Sequence, residues 1–452
     1  MTVGSIPRHL LLFALPLLAG NLFQQLYNMV DTWVVGNFVS NEAFSAVGTV
    51  GPIINILIGF FSGLASGAGV VISQYFGARD QERVHKTVET AVTMTLLMGV
   101  LFTALGLGGI PLMLRFINMP AEVIPDATAY LQIYFSGVIG LLVYNMGAGI
   151  LRAVGDSTRP FLYLVVCALL NIVGDLVFVL VFGWGVRGVA YATILSQAVS
   201  AILVSVDLLS TPSCVRLSIR DLRLDREILG RIIRVGIPAA LQMAITAFSN
   251  VFVQGYINAF GADAMSGWTA YAKMDQLIFL PMQSLGLAST TFVGQNLGTG
   301  NVARAKKGAR VTLLMAVLFT LACMVPVLIF APQLTAFFNS RPEVVAYGTK
   351  LLRQLTPFYL FVCFNQVYAN ALRGAGNSRM PMIVMLGSFV VFRQIYLFVM
   401  TTFISNTLTA VAMAYPAGWF LSSAWLFLYY RRVGFATRHA IVSPKKEPPA
   451  DS

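Results

Sequence analysis

Charge is scarce in this chain. Asp and Glu together number 18 in 452 residues, and all charged types make up 11% of it. Soluble domains carry about 25%, so an ordinary water-facing surface is excluded. Histidine occurs three times, as His9, His85 and His439, and no local spacing groups them into a metal centre or a histidine-based active site. The four cysteines, Cys167, Cys214, Cys323 and Cys363, show no paired spacing and read as packing residues. No nucleophile–base motif stands out, so a membrane-embedded transferase or hydrolase has little support. The expectation is a protein that is not an enzyme and needs no organic cofactor.

What the chain does contain is apolar length. Hydrophobic residues make up 57% of it. Stretches long enough to cross a bilayer as helices lie at 9–36, 46–76, 88–112, 124–150, 160–183, 187–209, 232–258, 265–296, 309–331, 344–371, 381–403 and 408–430. In lipid no water satisfies backbone amides, and the short alternating strands of a barrel are missing. The reading is an all-α integral membrane protein with twelve transmembrane helices. The apolar run after Arg8 continues past Gly20 without a small-x-small cleavage site, so it reads as an uncleaved first span rather than a signal peptide.

The net charge of +12 invites a polyanionic partner, but its placement argues otherwise. Most Lys and Arg fall in alternate loops on the side of both termini, whereas only Arg115, Arg187 and Arg341 fall in the opposite loops. This bias orients both termini to the cytoplasm. The basic charge reports topology, and no nucleic-acid partner is expected.

One polar phrase occurs twice. "LRAVGDSTRP" (151–160) and "LRGAGNSRMP" (372–381) match at an offset of 221 residues. At the same offset "QYFGARDQERVHK" (74–86) matches "QNLGTGNVARAKK" (295–307). Pro16 and Pro238, which open their spans alike, pair one position further apart, as do Asn28 and Asn250. Both phrases read as cytoplasmic turns that stop one helix and start the next. The chain is therefore two pseudo-symmetric six-helix lobes of the same orientation, parallel repeats with an axis along the membrane normal. The lobes are 1–210 and 232–435, joined by a basic, amphipathic cytoplasmic linker at 211–231 and followed by a cytoplasmic tail at 436–452.

An acid inside a membrane span is a functional-site candidate by default. Asp31 and Asp175 stand well inside the first and fifth spans. Asn21, Gln24, Gln25, Asn28, Asp31 and Thr32 fall within roughly a 120° arc of one helix. Asn171 and Asp175 are four apart and share a face. Asp31, Asp175 and Thr193 lie at one depth, in the outer part of the first lobe. At the repeat offset Asp31 meets Val253, Asn171 meets Phe392, Asp175 meets Tyr396 and Thr193 meets Ala414. Shared positions are framework; the acid constellation belongs to the first lobe alone. Such a carboxylate pair can load and release a proton, and its oxygens with those of Asn171 and Thr193 can instead hold a sodium ion.

The second lobe offers Gln242, Thr246, Ser249, Asn250 and Gln254 on the seventh span, Lys273 and Asp275 on the eighth, Asn365 and Gln366 on the tenth, and Arg393 on the eleventh. Asp275 is expected to pair with Lys273 or Arg393. Gln24, Tyr27, Asn28, Asn145, Met146, Gln242 and Asp275 are the candidate substrate-binding residues, the methionine supplying a polarizable wall.

These residues carry a resemblance. "LFQQLYNMVDTWVVGNFV", "AFSAVG", "TTFVGQNLGTGN" and the doubled phrase resemble the multidrug and toxic compound extrusion (MATE) family, in its DinF-type bacterial and archaeal branch, over about residues 8–435. The family belongs to the multidrug/oligosaccharidyl-lipid/polysaccharide exporter superfamily. The resemblance implies two lobes around a V-shaped cavity and cation-coupled export by alternating access. It assigns Asp31 as the coupling carboxylate, Asn171, Asp175 and Thr193 as its network, and Gln24 and Tyr27 as cavity-lining. The sodium-coupled branch relies on acids in the seventh and tenth spans, where this chain has Gln242, Asn250 and Asn365. The departure favours proton over sodium coupling. The expected function is export of cationic or amphipathic small molecules from a prokaryotic plasma membrane by a monomer. A lipid-linked saccharide flippase is the alternative, disfavoured because embedded bases are few.

Overall fold

The computed structural model describes residues 1–117 and 119–435, and among these no strand occurs. The tail at 436–452, with His439, lies outside the described residues. Nine long helices follow in order: α1 (Ile6–Phe38), α2 (Asn41–Gly77), α3 (Gln81–Phe116), α4 (Ile124–Ala153), α5 (Thr158–Leu176), α6 (Gly185–Ser210), α7 (Arg226–Asn258), α8 (Ala262–Gly298) and α9 (Val302–Ile329). A short α10 (Ala331–Phe338) leads to the tenth span. That span is not the single helix expected over 344–371. It runs as α11 (Pro342–Leu355), a 3-10 turn at Thr356–Phe358, and α12 (Tyr359–Gly374). Pro357 lacks the N–H that would continue the ladder, so the chain tightens there. The eleventh span is α13 (Arg379–Leu386), a π-helical turn at Gly387–Phe392, α14 (Arg393–Val399) and a second π-turn at Met400–Ile404. The twelfth is α15 (Leu408–Ala412) with α16 (Ala414–Val433). The fifth span likewise ends in a π-turn, Val177–Val181.

Among the described residues eleven of these spans are long and apolar enough to cross a membrane; the tenth, broken at Thr356–Phe358, is the twelfth of the set. Large apolar side chains such as Leu101, Leu105, Leu112, Val181, Phe403 and Ile404 stand exposed on their outer faces, as a lipid-facing surface requires.

The chain forms two compact units. One comprises Leu15–Ala240, the other Met1–Ala14 with Leu241–Ser452. In the first, α4 packs on α2, α3 and α6, and α5 packs on α6. Residues of α2 also meet the start of α7 at backbone distance. A Cβ on Gly63 would fall 2.3 Å from Ala240 N, and one on Gly67 would fall 2.6 Å from both Gly236 Cα and Ile232 O. Small residues at such crossings let helices approach closely where lipid offers no hydrophobic drive. In the second unit, α8 packs on α9, α11 and α12, and α12 on α16.

The repeat is visible in the backbone. In the first copy of the doubled phrase Gly155 has φ 100°, and its N–H donates to Arg152 O at 3.0 Å, while Asp156 N donates to Leu151 O. In the second, Gly376 has φ 87°, with the same pair of bonds to Arg373 O and Leu372 O. Glycine supplies the left-handed residue that ends a helix this way. Arg152 and Arg373 are therefore last-turn helix residues, not loop residues, and Arg373 is buried at 6% exposure. Pro16 and Pro238 are also placed differently from expectation: both lie inside α1 and α7, not at their starts. Membrane helices tolerate this because neighbouring segments satisfy the freed carbonyls.

Residues 211–225 form no amphipathic helix. Their one regular turn is 3-10, Ile219–Asp221. The amphipathic character is that of an extended chain, with Val215 and Leu217 buried and Arg216 exposed between them.

Candidate functional site

The unit containing Leu15–Ala240 carries the acid constellation. Asp31 projects from α1, Asn171 and Asp175 from α5, and Asp175 is two residues ahead of the π-turn at Val177–Val181. Asn171 is 1% exposed and Asp175 is fully buried. The Asp31 and Asp175 carboxylates adjoin each other, and the Asn171 amide adjoins Asp31. These approaches are looser than formed hydrogen bonds: Asp31 Oδ1, both Asp175 oxygens and both Asn171 amide atoms have no partner. Tyr27, Tyr130 and Cys167 lie within electrostatic reach of Asp31, and Tyr130 stacks on Tyr134 with ring centroids 6.2 Å apart. Among the described residues no basic side chain forms an ion pair with either acid. Two adjoining carboxylates in a low dielectric repel each other unless a proton or a cation lies between them. The unpartnered oxygens suit either. Thr193, 6% exposed, gives its hydroxyl to Val189 O at 3.0 Å.

Of the other candidates on this unit, Gln24 is exposed and reaches Tyr27 Oη at 3.5 Å. Asn28 is exposed. Asn145 donates to Leu141 O at 2.8 Å. Met146 is 1% exposed and fills the core behind α4, so in this structure it packs instead of forming an accessible wall.

The other unit holds a different arrangement, and here an expectation is overturned. Asp275 pairs with neither Lys273 nor Arg393. Its carboxylate accepts from Tyr271 Oη at 3.3 Å and from Tyr359 Oη, and the two phenols meet at 3.1 Å. Lys273 is exposed; two positions along a helix is the far side from Asp275. Arg393, 3% exposed, donates to Ser249 Oγ at 2.8 Å and Asn250 Oδ1 at 2.9 Å, with its guanidinium 4.8 Å from the Tyr415 ring centroid. Trp268, Tyr415 and Trp419 crowd the same region. Gln242 is engaged as well: it accepts from Arg373 Nη2 at 2.6 Å and donates to Met385 Sδ. Asn365 donates to Trp419 O at 3.2 Å.

Sequence reasoning missed Tyr130, Tyr271, Tyr359 and the buried role of Arg373. Tyr271 and Asp275 stand four apart on α8, a signal that was there to read. The other partners come from separate helices.

The geometry is thus a membrane-embedded bundle with an uncompensated carboxylate pair in one unit and a phenol-bound carboxylate in the other. The sequence model of the MatE family matches residues 16–177 and 238–399, once in each half. The chain belongs to the MATE family. MATE proteins are transporters, not enzymes, and this one is a multi-pass membrane protein. It is 30% identical over 430 residues to the "Probable multidrug resistance protein YpnP" of Bacillus subtilis, covering 95% of this chain and 96% of that one. It is 28% identical over 408 residues to the "Probable multidrug resistance protein NorM" of Thermotoga maritima, covering 89% and 87%. Among solved structures it is similar to a MOP superfamily transporter from Pyrococcus furiosus, with a TM-score of 0.90, 26% identity and coverage of 96% and 97%. The matched MATE segments begin at Pro16 and Pro238, the proline pair noted above.

Proposed function

We propose that this MATE transporter is a secondary active multidrug exporter. It exchanges protons for cationic or amphipathic small molecules by alternating access. The observation that carries the reading is the adjoining pair of the half-buried Asp31 and the buried Asp175 beside Asn171, with unpartnered oxygens and, among the described residues, no ion pair to a base. A proton bound there removes the mutual repulsion, and its release restores it. The protonation state is therefore tied to the packing of α1 against α5. A proton crossing a potential of about 150 mV yields roughly 3.5 kcal/mol, enough for about a 300-fold substrate gradient. The names of the bacterial relatives support the multidrug class.

The same oxygens fit a sodium ion, with Asn171 and, after release of its Val189 bond, Thr193 as further donors. Proton coupling is preferred because the seventh and tenth spans carry the amides Gln242, Asn250 and Asn365 in place of acids. Gln24, Tyr27, Asn28 and Asp275 are the proposed substrate contacts. We place the monomer in a prokaryotic plasma membrane, two six-helix lobes with both termini cytoplasmic. The test is efflux of a fluorescent organic cation from vesicles under an imposed pH gradient, then under a sodium gradient. Efflux driven by the pH gradient and lost in Asp31→Asn is the expected result; efflux that follows sodium alone overturns the coupling assignment.

A further inference from the structure

His85, Glu89 and Asp221 converge where α3 meets the 211–225 segment. One ligand atom from each lies within 4.8 Å of the other two, and no other such group occurs among the described residues. His85 and Glu89 are one helical turn apart on the same face of α3. Asp221 arrives on the 3-10 turn at Ile219–Asp221.

The Glu89 carboxylate is the independent sign of a ligand. The residue is 1% exposed, and neither of its oxygens has a hydrogen-bond partner. Oε1 lies 2.8 Å from His85 Nε2, yet the contact is not aligned as a hydrogen bond. Oε2 lies 3.7 Å from Arg223 Nε. A buried carboxylate so held is poorly compensated. Lys86 is taken up by Glu82, so Glu89 and Asp221 face the Arg223 guanidinium as the nearest fixed cation. A ring nitrogen close to an oxygen but not aimed at it is compatible with two atoms placed to share an ion.

We propose that His85 Nε2, Glu89 Oε1 and a carboxylate oxygen of Asp221 form a binding site for a divalent transition-metal ion of the Zn²⁺ class, with water in the remaining position. Zinc takes His nitrogen and carboxylate oxygen at about 2.0–2.2 Å, which in a tetrahedral set puts neighbouring ligand atoms about 3.3–3.5 Å apart. His85 Nε2 and Glu89 Oε1, 2.8 Å apart, open slightly to take the ion, and the exposed Asp221 carboxylate, within 4.8 Å of both, closes the set by a short side-chain movement. Arg223 stays on Oε2. The imidazole selects transition metals over Mg²⁺ and Ca²⁺, which prefer all-oxygen sets. Bound metal would clamp the 211–225 segment to α3 beside an existing link, the Asp225 N–H to Thr90 Oγ1 bond at 3.2 Å.

The test uses the full chain, purified in detergent, freed of any affinity tag and stripped with a chelator. Titration with Zn²⁺ by calorimetry should show one saturable equivalent that excess Mg²⁺ does not displace. Co²⁺ in its place should give visible bands of an imidazole–carboxylate site. His85→Gln alters a half-buried side chain and Asp221→Asn an exposed one, and each should weaken Zn²⁺ at least about tenfold. Absence of saturable uptake overturns the site, as does unchanged affinity in either well-folded variant, which would assign the metal to other donors.

Discussion

Arg79 holds the left-handed backbone position (φ 57°) that Gly300 (φ 79°) holds 221 residues later. Each follows the last turn of a long helix, α2 or α8, and each precedes a cap. Asp80 accepts from Arg83 N at the start of α3, and Asn301 accepts from Arg304 N at the start of α9. The two copies fold to one turn although only one supplies a glycine.

An L-residue in this conformation costs roughly 1–2 kcal/mol. Arg79→Gly should therefore stabilise by about 1 kcal/mol, reduced by the extra freedom glycine gives the unfolded chain. Gly300→Ala should lose a similar amount. Apparent unfolding temperatures in detergent check both, and they should move in opposite directions.

The crossing of α2 with the start of α7 has no room for a side chain. Gly67→Val drives a branched side chain into Gly236 and the Ile232 carbonyl. Overpacking of this kind costs about 1–3 kcal/mol or more. The variant should show little folded protein in size-exclusion chromatography. Gly48→Ala, with open space around its Cβ, should leave the profile unchanged.

Asp31→Asn and Asp175→Asn keep the volume of each side chain and remove the charge. Both should reach the membrane at normal levels. Under the proposed coupling Asp31→Asn loses pH-driven efflux entirely. Retained efflux, with matched expression on an immunoblot, would refute that role.

Asp275 separates stability from transport. Asp275→Asn still accepts hydrogen bonds from Tyr271 and Tyr359, so the fold should persist while uptake of organic cations falls relative to neutral substrates. Asp275→Leu leaves one O–H of the buried Tyr271–Tyr359 pair without an acceptor, worth about 1–3 kcal/mol of destabilisation. Thermal unfolding should separate the two variants before any transport is measured.

The existence and order of the spans, the charge bias and the internal repeat were legible in the sequence because each depends on local composition or on a fixed offset. A bilayer demands apolar length, and that requirement is written residue by residue. Asn171 and Asp175 were legible as a helical face for the same reason. Asp275 shows where such reasoning stops: a base two positions away seemed its partner, but the helical angle puts Lys273 on the far side, and Tyr359 comes from another span.

The sequence by itself determined that this is a twelve-span helical membrane protein of two related halves, and that its buried acids are unevenly shared between them. Only the tertiary structure decided which groups meet. It set Asp31 against Asp175, gave Asp275 to two phenols, buried Arg373 on Gln242, and brought Asp221 to His85 and Glu89. Hydrophobic periodicity specifies how a helix lies in the membrane. Which helix faces which, and at what height, follows from small residues such as Gly63 and Gly67 that set the distance of approach, and that information becomes specific only when the partner helix is in place.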